Sequence, residues 1–334
     1  MLIDLRIFVQ ILPSEYVLGV DGGGTWTRSI IMRTDGEIVG VGRAGPSNPI
    51  TLGVEESLKN IIEAVENAGK ISGIKNFQAS VLGLAGASRS RLGNEMLSRF
   101  PAFFGNAQIV SDARSALAGA TGCEPGVVVI AGTGSIAYGN NAMGVDARAG
   151  GWGWRLGDEG SGYTIGNAAM IAALRVFDQS GPDTVLKEMV LNHLGLDDVE
   201  KIIDWTYDPQ REPRHFASLV PLVKEAEKQG DKVAAQIMMD AGAQLGMVTQ
   251  AVIKRLRLMG GFPVACSGGV FKQPNGYNLA FEEAVRKVAP RCNFIEPLFS
   301  PTAGSAFLAL QKIGVDVNDG LLSNAKTSLE GLNE

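Results

Sequence analysis

Short apolar runs broken by glycine set the rhythm of this chain. "YVLGV" (16–20) is continuously apolar and of strand length, and "TRSIIM" (27–32) is rich in β-branched residues with no helical period. Asp35-Gly36 then separates that run from another, the dipeptide that most favours a hairpin. The opening therefore reads strand, glycine turn, strand, hairpin, strand. A different period follows. Val54, Leu58, Ile61, Ile62 and Val65 share one helical face, and Gly69 is placed to end that helix. "ASVLGLAG" (79–86) and "AQIVSD" (107–112) return to strands, and small residues after Asp112 start a helix.

At residue 126 the order begins again. "GVVVIAGTGSIAYG" (126–139) is an apolar strand, a glycine turn, hydroxyl residues and a second strand. A repeat of this kind predicts two related α/β lobes, not a solenoid. Residues 123–126 are the expected crossing. The first lobe is expected over 1–124 and the second over 125–300, with the C-terminal segment 301–334 returning to the first. A glycine-rich loop (150–161) runs into a helix, and a largely helical stretch follows to about residue 230. A long amphipathic helix carries Val233, Ile237, Ala241, Leu245, Val248, Val252 and Leu256. "FPVACSGGVF" (262–271) is a strand ending in glycines, and "NFIEPLFSPTAGSAFLALQKIG" (293–314) a strand, turn and helix. The polar tail after residue 319 is expected to be loosely ordered.

Composition narrows the classes. The 334 residues exceed what a single core usually supports, which favours two domains. A net charge of −5 supplies no basic field to gather a nucleic acid. The N-terminal "MLIDLRIFVQIL" is too short to span a bilayer and carries Asp4 and Arg6. It reads as an extra strand, or as an upstream start codon taken for the true one. With no transmembrane run, the expected location is the cytoplasm, with no membrane partner. Cys123, Cys266 and Cys292 lack metal-ligand spacing and read as buried thiols in a reducing compartment. His193 and His215 lie away from every motif, so no Ser–His–Asp chemistry is supported.

The glycine turns carry the chemistry. "DGGGTWT" (21–27) lacks the lysine and the following helix of a P-loop, and fails the dinucleotide pattern and its context. What remains is a hairpin whose backbone amides can approach a phosphate, with Thr25 and Thr27 adding hydroxyls and Asp21 able to hold a hydrated Mg²⁺. Taken singly, a plain tight turn is an even alternative. "IAGTGS" (130–135) repeats the device with Gly132, Thr133 and Gly134. Two cradles, one per lobe, can grip a polyphosphate. Asp112, at a strand end, reads either as a helix N-cap or as a group that orients an attacking hydroxyl. Trp152, Trp154, Asp158 and Glu159 suit a sugar, since acids accept hydroxyl hydrogen bonds and rings cover C–H faces. Gly268-Gly269 could pass under an adenosine or simply end a strand.

Taken in order, "DGGGTWT", "SDARSALAGA", "IAGTGS", "GGWGWRLGDEGSGY" and "CSGGVF" resemble the sugar kinases of the actin/hexokinase/Hsp70 superfamily. The resemblance runs from about residue 16 to 315. It lies within the branch that holds N-acetylglucosamine kinase and the BadF/BadG/BcrA/BcrD ATPases. It implies two ribonuclease-H-like α/β lobes with a nucleotide cleft between them. It also implies an ATP- and Mg²⁺-dependent kinase acting on the 6-hydroxyl of N-acetylglucosamine or a related hexose, and a homodimer. By motif, Gly23, Gly24, Thr25, Thr27, Gly132, Thr133, Gly134, Gly268 and Gly269 would meet ATP, and Asp21 would hold the metal through water. Asp112 would be the base or positioner, and Asn48, Gly151, Trp152 and Asp158 would meet the sugar. Trp26 stands where the family often has a cation, which Arg28 could replace. The branch's activator ATPases need paired cluster cysteines that this chain does not place. Against a non-enzymatic sugar sensor stand Asp112 and both phosphate motifs, and against an actin-like filament protein stands the sugar loop.

Overall fold

The computed structural model describes residues 15–86, 91–272 and 275–332. The N-terminal apolar run, and the strand expected in it, lie outside them. The described residues form two compact units: one holds those up to Cys123 and from Phe299 onward, the other is Glu124–Leu298.

The first unit is built on β1 (Tyr16–Gly22), β2 (Thr27–Arg33), β3 (Ile38–Ala44), β4 (Ala79–Leu84) and β5 (Asn106–Val110), in the order β3-β2-β1-β4-β5. β1 runs antiparallel to β2 and parallel to β4. Its helices are α1 (Pro49–Leu52), α2 (Val54–Ser72), α3 (Arg91–Ser98), α4 (Asp112–Thr121), α12 (Pro301–Lys312) and α13 (Asp319–Leu332). β1 is apolar on both faces because both are covered. Leu18 and Val20 pack with Leu58, Ile61 and Val65 of α2. Val17, on the opposite face, packs with Ala303, Ala306 and Phe307 of α12. Gly19 lets α12 come that close, since a Cβ there would collide with the backbone of Thr302 and Ala306. Asp35-Gly36 does close the β2–β3 hairpin, with the Gly36 N–H donated to the Arg33 carbonyl at 2.9 Å.

Two sequence expectations are corrected in this unit. α2 does not stop at Gly69. It runs to Ser72, and Gly73 takes the left-handed cap at φ 75°, its N–H bonded to the Gly69 carbonyl. The tail after residue 319 is the ordered helix α13, because Leu321 and Ala325 at helical spacing are buried in the core cluster that holds Val17. The Ser328 hydroxyl also accepts the Ile38 N–H at 2.9 Å.

The second unit repeats the plan. β6 (Gly126–Ala131), β7 (Ser135–Asn140), β8 (Asp146–Gly150), β9 (Pro263–Ser267) and β10 (Asn293–Ile295) lie in the order β10-β9-β6-β7-β8. β6 is antiparallel to β7 and parallel to β9, as β1 is to β2 and β4. The helices are α5 (Gly162–Phe177), α6 (Leu186–Leu194), α7 (Lys201–Tyr207), α8 (Pro213–Ala217), α9 (Val220–Lys228), α10 (Lys232–Leu256) and α11 (Gly276–Arg286). Val127 and Val129 of β6 share a core with Ile165 of α5, Val223 of α9 and Leu245 of α10. Among the described residues, no helix is long and apolar enough to cross a membrane.

Candidate functional site

In the first unit the glycine segment joins strand to strand. Gly22 and Thr27 are the last paired residues of the β1–β2 hairpin, so its loop is residues 23–26. Strand on both sides excludes the P-loop and the dinucleotide turn. Nothing lies within 4 Å of where a Cβ would stand on Gly23 or Gly24, so the loop backbone is open to an approaching group. A cavity of about 210 Å³ opens there, rimmed by residues 21–26, Arg28 and Asp112. Gly24, Thr25 and Trp26 are exposed. Thr27 is not: it is fully buried and donates its hydroxyl to the Gly45 carbonyl at 2.7 Å. Its hydroxyl hydrogen is spent inside the sheet, which corrects its assignment as a phosphate donor.

Asp21 and Asp112 meet at this cavity. Asp21 is the next-to-last residue of β1, and Asp112 is the first residue of α4, which follows β5. Ser111 caps that helix by accepting the Arg114 N–H, so Asp112 is not its N-cap. Asp112 receives only the adjacent Ala113 N–H at 2.9 Å, and it is exposed. The Asp21 carboxyl is pushed up to about 6, first by burial and then by the charge of Asp112, with Arg28 opposing. A carboxylate whose proton affinity is raised by burial and by the charge of a second carboxylate, beside an open glycine loop, forms a seat for positive charge. Among the described residues no group of three or more His, Cys, Asp or Glu could hold a metal. An Mg²⁺ ion takes one or two carboxylates and fills its remaining positions with water and phosphate, and this donor set fits that habit.

Trp26 has a physical account. The Arg43 guanidinium lies 3.5 Å from the centre of its ring. β3 thus brings a cation to the face of that aromatic. Asn48 caps α1, its side chain accepting the Ile50 N–H at 3.0 Å. That bond fixes its side chain in a half-buried position close to Gly86.

In the second unit, Gly132, Thr133 and Gly134 form the loop between β6 and β7, and Thr133 is exposed. The Gly132 and Thr133 carbonyls accept the Gly162 and Tyr163 N–H groups at the start of α5, at 2.8 and 3.1 Å. Those carbonyls are thereby turned away, and the space over Gly132 is open. Asp158 lies directly against this loop: a Cβ on Gly134 would stand 2.7 Å from its Oδ2. It is 7% exposed, at φ 64°, and the nearby backbone N–H groups of Ser135 and Gly153 favour its charged form. Burial still raises its proton affinity above the ordinary carboxylate range. Asp158 therefore ties the Gly132–Gly134 loop to the glycine-rich loop. Gly151 donates its N–H to the Ser135 carbonyl at 3.0 Å, a second tie. Trp152 is 64% exposed with Arg148 at 4.2 Å over its ring, whereas Trp154 leans on Tyr163.

The Gly268-Gly269 turn sits beside the same loop. β9 pairs with β6 up to Ser267 opposite Ile130, and the Val270 N–H then bonds to the Ala131 carbonyl at 3.1 Å. Gly268 has φ 107° and would drive a Cβ into Ala131, so only glycine fits. Gly269 faces open space. Sequence reasoning missed the group behind this turn, Lys224, whose Nζ donates to three of its carbonyls. The signal was a lysine on the apolar stripe of α9, beside Val220 and Val223.

The thiols take no part. Burial pushes Cys123 and Cys266 up to about 12 and raises Cys292. His193 meets the Ser218 hydroxyl, and His215 accepts the Glu212 N–H in the cap of α8.

The sequence profile of the BadF/BadG/BcrA/BcrD ATPase family matches residues 18–309. An N-acetylmuramic acid/N-acetylglucosamine kinase of Clostridium acetobutylicum is 34% identical over 301 residues, 88% of this chain and 98% of that protein. An N-acetyl-D-glucosamine kinase of Dictyostelium discoideum is 32% identical over 317 residues, 90% of this chain and 99% of the other. Among solved structures, a candidate N-acetylglucosamine kinase from Chromobacterium violaceum superposes with a TM-score of 0.69 at 29% identity. It covers 89% of this chain and 99% of its own.

Proposed function

The chain belongs to the BadF/BadG/BcrA/BcrD ATPase family, and from that premise we propose that it is an ATP-dependent sugar kinase that phosphorylates the 6-hydroxyl of N-acetylglucosamine or a close amino sugar. The observation that carries this reading is the pairing of Asp21 and the exposed Asp112 on one cavity bordered by an open glycine hairpin. The relatives' names supply the class of sugar.

In this reading the Asp112 carboxylate accepts the hydrogen bond of the sugar hydroxyl and takes its proton as the oxygen bonds to the γ-phosphorus of ATP, with ADP leaving. Thr25 with the open 23–24 amides of the first unit, and Thr133 with the open Gly132 loop of the second, are each suited to donate to phosphate oxygens. Asp21 would hold Mg²⁺, through water, with the phosphates completing its shell; when bound, the ion neutralises charge on the phosphates. Trp152 covers an apolar face of the sugar. Asp158 holds the loop that bears Trp152. The redox activator reading needs paired cluster cysteines, whereas Cys123 lies in the first unit and Cys266 and Cys292 at unrelated positions of the second.

The test is ADP release across N-acetylglucosamine, glucosamine, glucose and N-acetylmuramic acid, with a control lacking sugar. Release that depends on one or more of these sugars is expected, and coupling of phosphorus to the C6 protons of the product identifies the hydroxyl. Equal ADP release without sugar would refute the kinase reading.

A further inference from the structure

Lys224 has an unusual setting for a lysine. It lies on α9 and is only 9% exposed. Its ammonium meets three backbone carbonyls, those of Gly269 at 3.2 Å, Val270 at 2.8 Å and Lys272 at 2.6 Å. An ammonium has three N–H donors, so all three are used. Burial lowers its proton affinity below the usual lysine range, while the nearby Glu227 charge opposes that fall. One turn along α9, Glu227 accepts the Gly276 N–H at 2.8 Å. Asn278 of α11 donates to the Phe271 carbonyl at 3.2 Å. The chain leaving β9 is thus gripped from below at several backbone groups, while the surface of Gly269 faces open space.

A buried charge is costly to keep unless it fixes something. A plain strand-end turn could satisfy its carbonyls with water. Here a helix 45 residues earlier in the chain spends a desolvated cation on them. The held segment begins at Gly268, which abuts Ala131 at the root of the Gly132–Gly134 loop.

We propose that Lys224 is a positioning residue for nucleotide, fixing the Gly268-Gly269 turn in the shape that receives the adenosine of ATP, with Glu227 as its second anchor. The proposal rests on the reading of that turn as the adenosine contact. Lys224 touches neither nucleotide nor sugar. It acts through the backbone, by holding the carbonyls of 269, 270 and 272 inward so that the opposite side of the turn stays presented.

The experiment compares Lys224→Met, Glu227→Ala and Gly269→Ala with the wild-type protein. Calorimetric titration with ADP alone gives Kd, and steady-state kinetics gives KM for ATP, KM for sugar and kcat. Lys224→Met should raise the ADP Kd and the ATP KM about tenfold, the size of one or two lost hydrogen bonds. KM for sugar and kcat should stay within about twofold, a split that general loosening of the unit would not produce. Loss of ADP affinity accompanied by an equal change in sugar KM or kcat would overturn the proposal. So would unchanged ADP affinity. If Lys224→Met does not fold, as judged by circular dichroism, Glu227→Ala must show the same split, and its failure to do so overturns the proposal. Gly269→Ala separates the two layers. Its Cβ meets no protein atom, so the fold is kept, and it should weaken ADP binding by filling the space the nucleotide needs. An effect of Gly269→Ala with a silent Lys224→Met refutes the role of Lys224 alone. A silent Gly269→Ala refutes the adenosine reading of the turn, and the proposal with it.

Discussion

Asp21→Asn should make the ligand-free protein more stable at neutral pH while disabling it. In the folded protein the Asp21 carboxyl is held at about 6 against an ordinary 3.8, mainly by burial and then by the charge of Asp112. The folded state therefore binds this proton more tightly than the unfolded chain does. The sign follows: below about pH 4 both states are protonated and the residue costs nothing, and as pH rises toward 7 the folded state loses stability relative to the unfolded one. The full rise corresponds to about 3 kcal/mol, and screening by water at the open cavity reduces that to roughly half. Asparagine carries no charge, so the variant escapes this loss. Urea unfolding of both proteins at several pH values between about 4 and 8 isolates the contribution of this carboxyl and its coupling to Asp112, since carboxylates that do not face Asp21 cancel in the difference. The variant should gain on the wild type progressively over that range and reach a plateau above about pH 7. A difference that is flat with pH, or a variant less stable than wild type at pH 7.5, would refute the reasoning. In the presence of Mg²⁺ and ADP the ranking should narrow, because a bound dication relieves the repulsion only in the wild type.

Asp112→Asn should keep the fold and sugar affinity, because Ser111 and not Asp112 caps α4, yet lower kcat by about 10²–10⁴; near-normal turnover would remove Asp112 from the chemistry. Asp158→Ala should lower the denaturation midpoint, because a carboxylate buried against the Gly132–Gly134 loop is lost and a void is left there. It should also raise KM for sugar, and an unchanged denaturation midpoint would show that the carboxylate is not a tie. Trp26 lines the first-unit cavity, so nucleotide binding should change its fluorescence; a change that persists undiminished in Trp26→Phe would show that it comes from another of the four tryptophans.

Much of this architecture was legible because glycine and apolar runs are strong local signals. "YVLGV" and "GVVVIA" read as buried strands, and the strand on the far side of each glycine turn ruled out helix-based phosphate motifs. The repeated motif order pointed to one plan used twice, and the structure supplies the strand order the two sheets share. What was not legible depended on contacts distant in sequence. Gly69 looks like a helix end, yet Gly73 is the glycine that reaches the left-handed cap. The tail after residue 319 has too few apolar residues to stand alone, and it is helical because the β2–β3 hairpin and the core beside it accept Leu321 and Ala325. Thr27 matched the phosphate pattern by type, but its parity in β2 points it inward to the Gly45 carbonyl. Lys224 was invisible as a functional residue because its partners are backbone carbonyls, which no side-chain motif records.

The return of α12 to the first unit has a consequence for biosynthesis. The second unit is continuous over residues 124–298, whereas the first is interrupted by it. Pro301, where α12 begins, is made about 190 residues after β5 ends. At 5–20 residues per second that is about 10–40 s of translation. For that interval Val17, Ile30 and Val81 have no Phe307 or Leu310 to pack against, so one face of the first sheet waits uncovered while the inserted unit is completed. A segment synthesised only after the second unit thus closes the first core, and an incomplete chain ending before residue 299 would expose that apolar face permanently, marking itself for capture by chaperones or proteases.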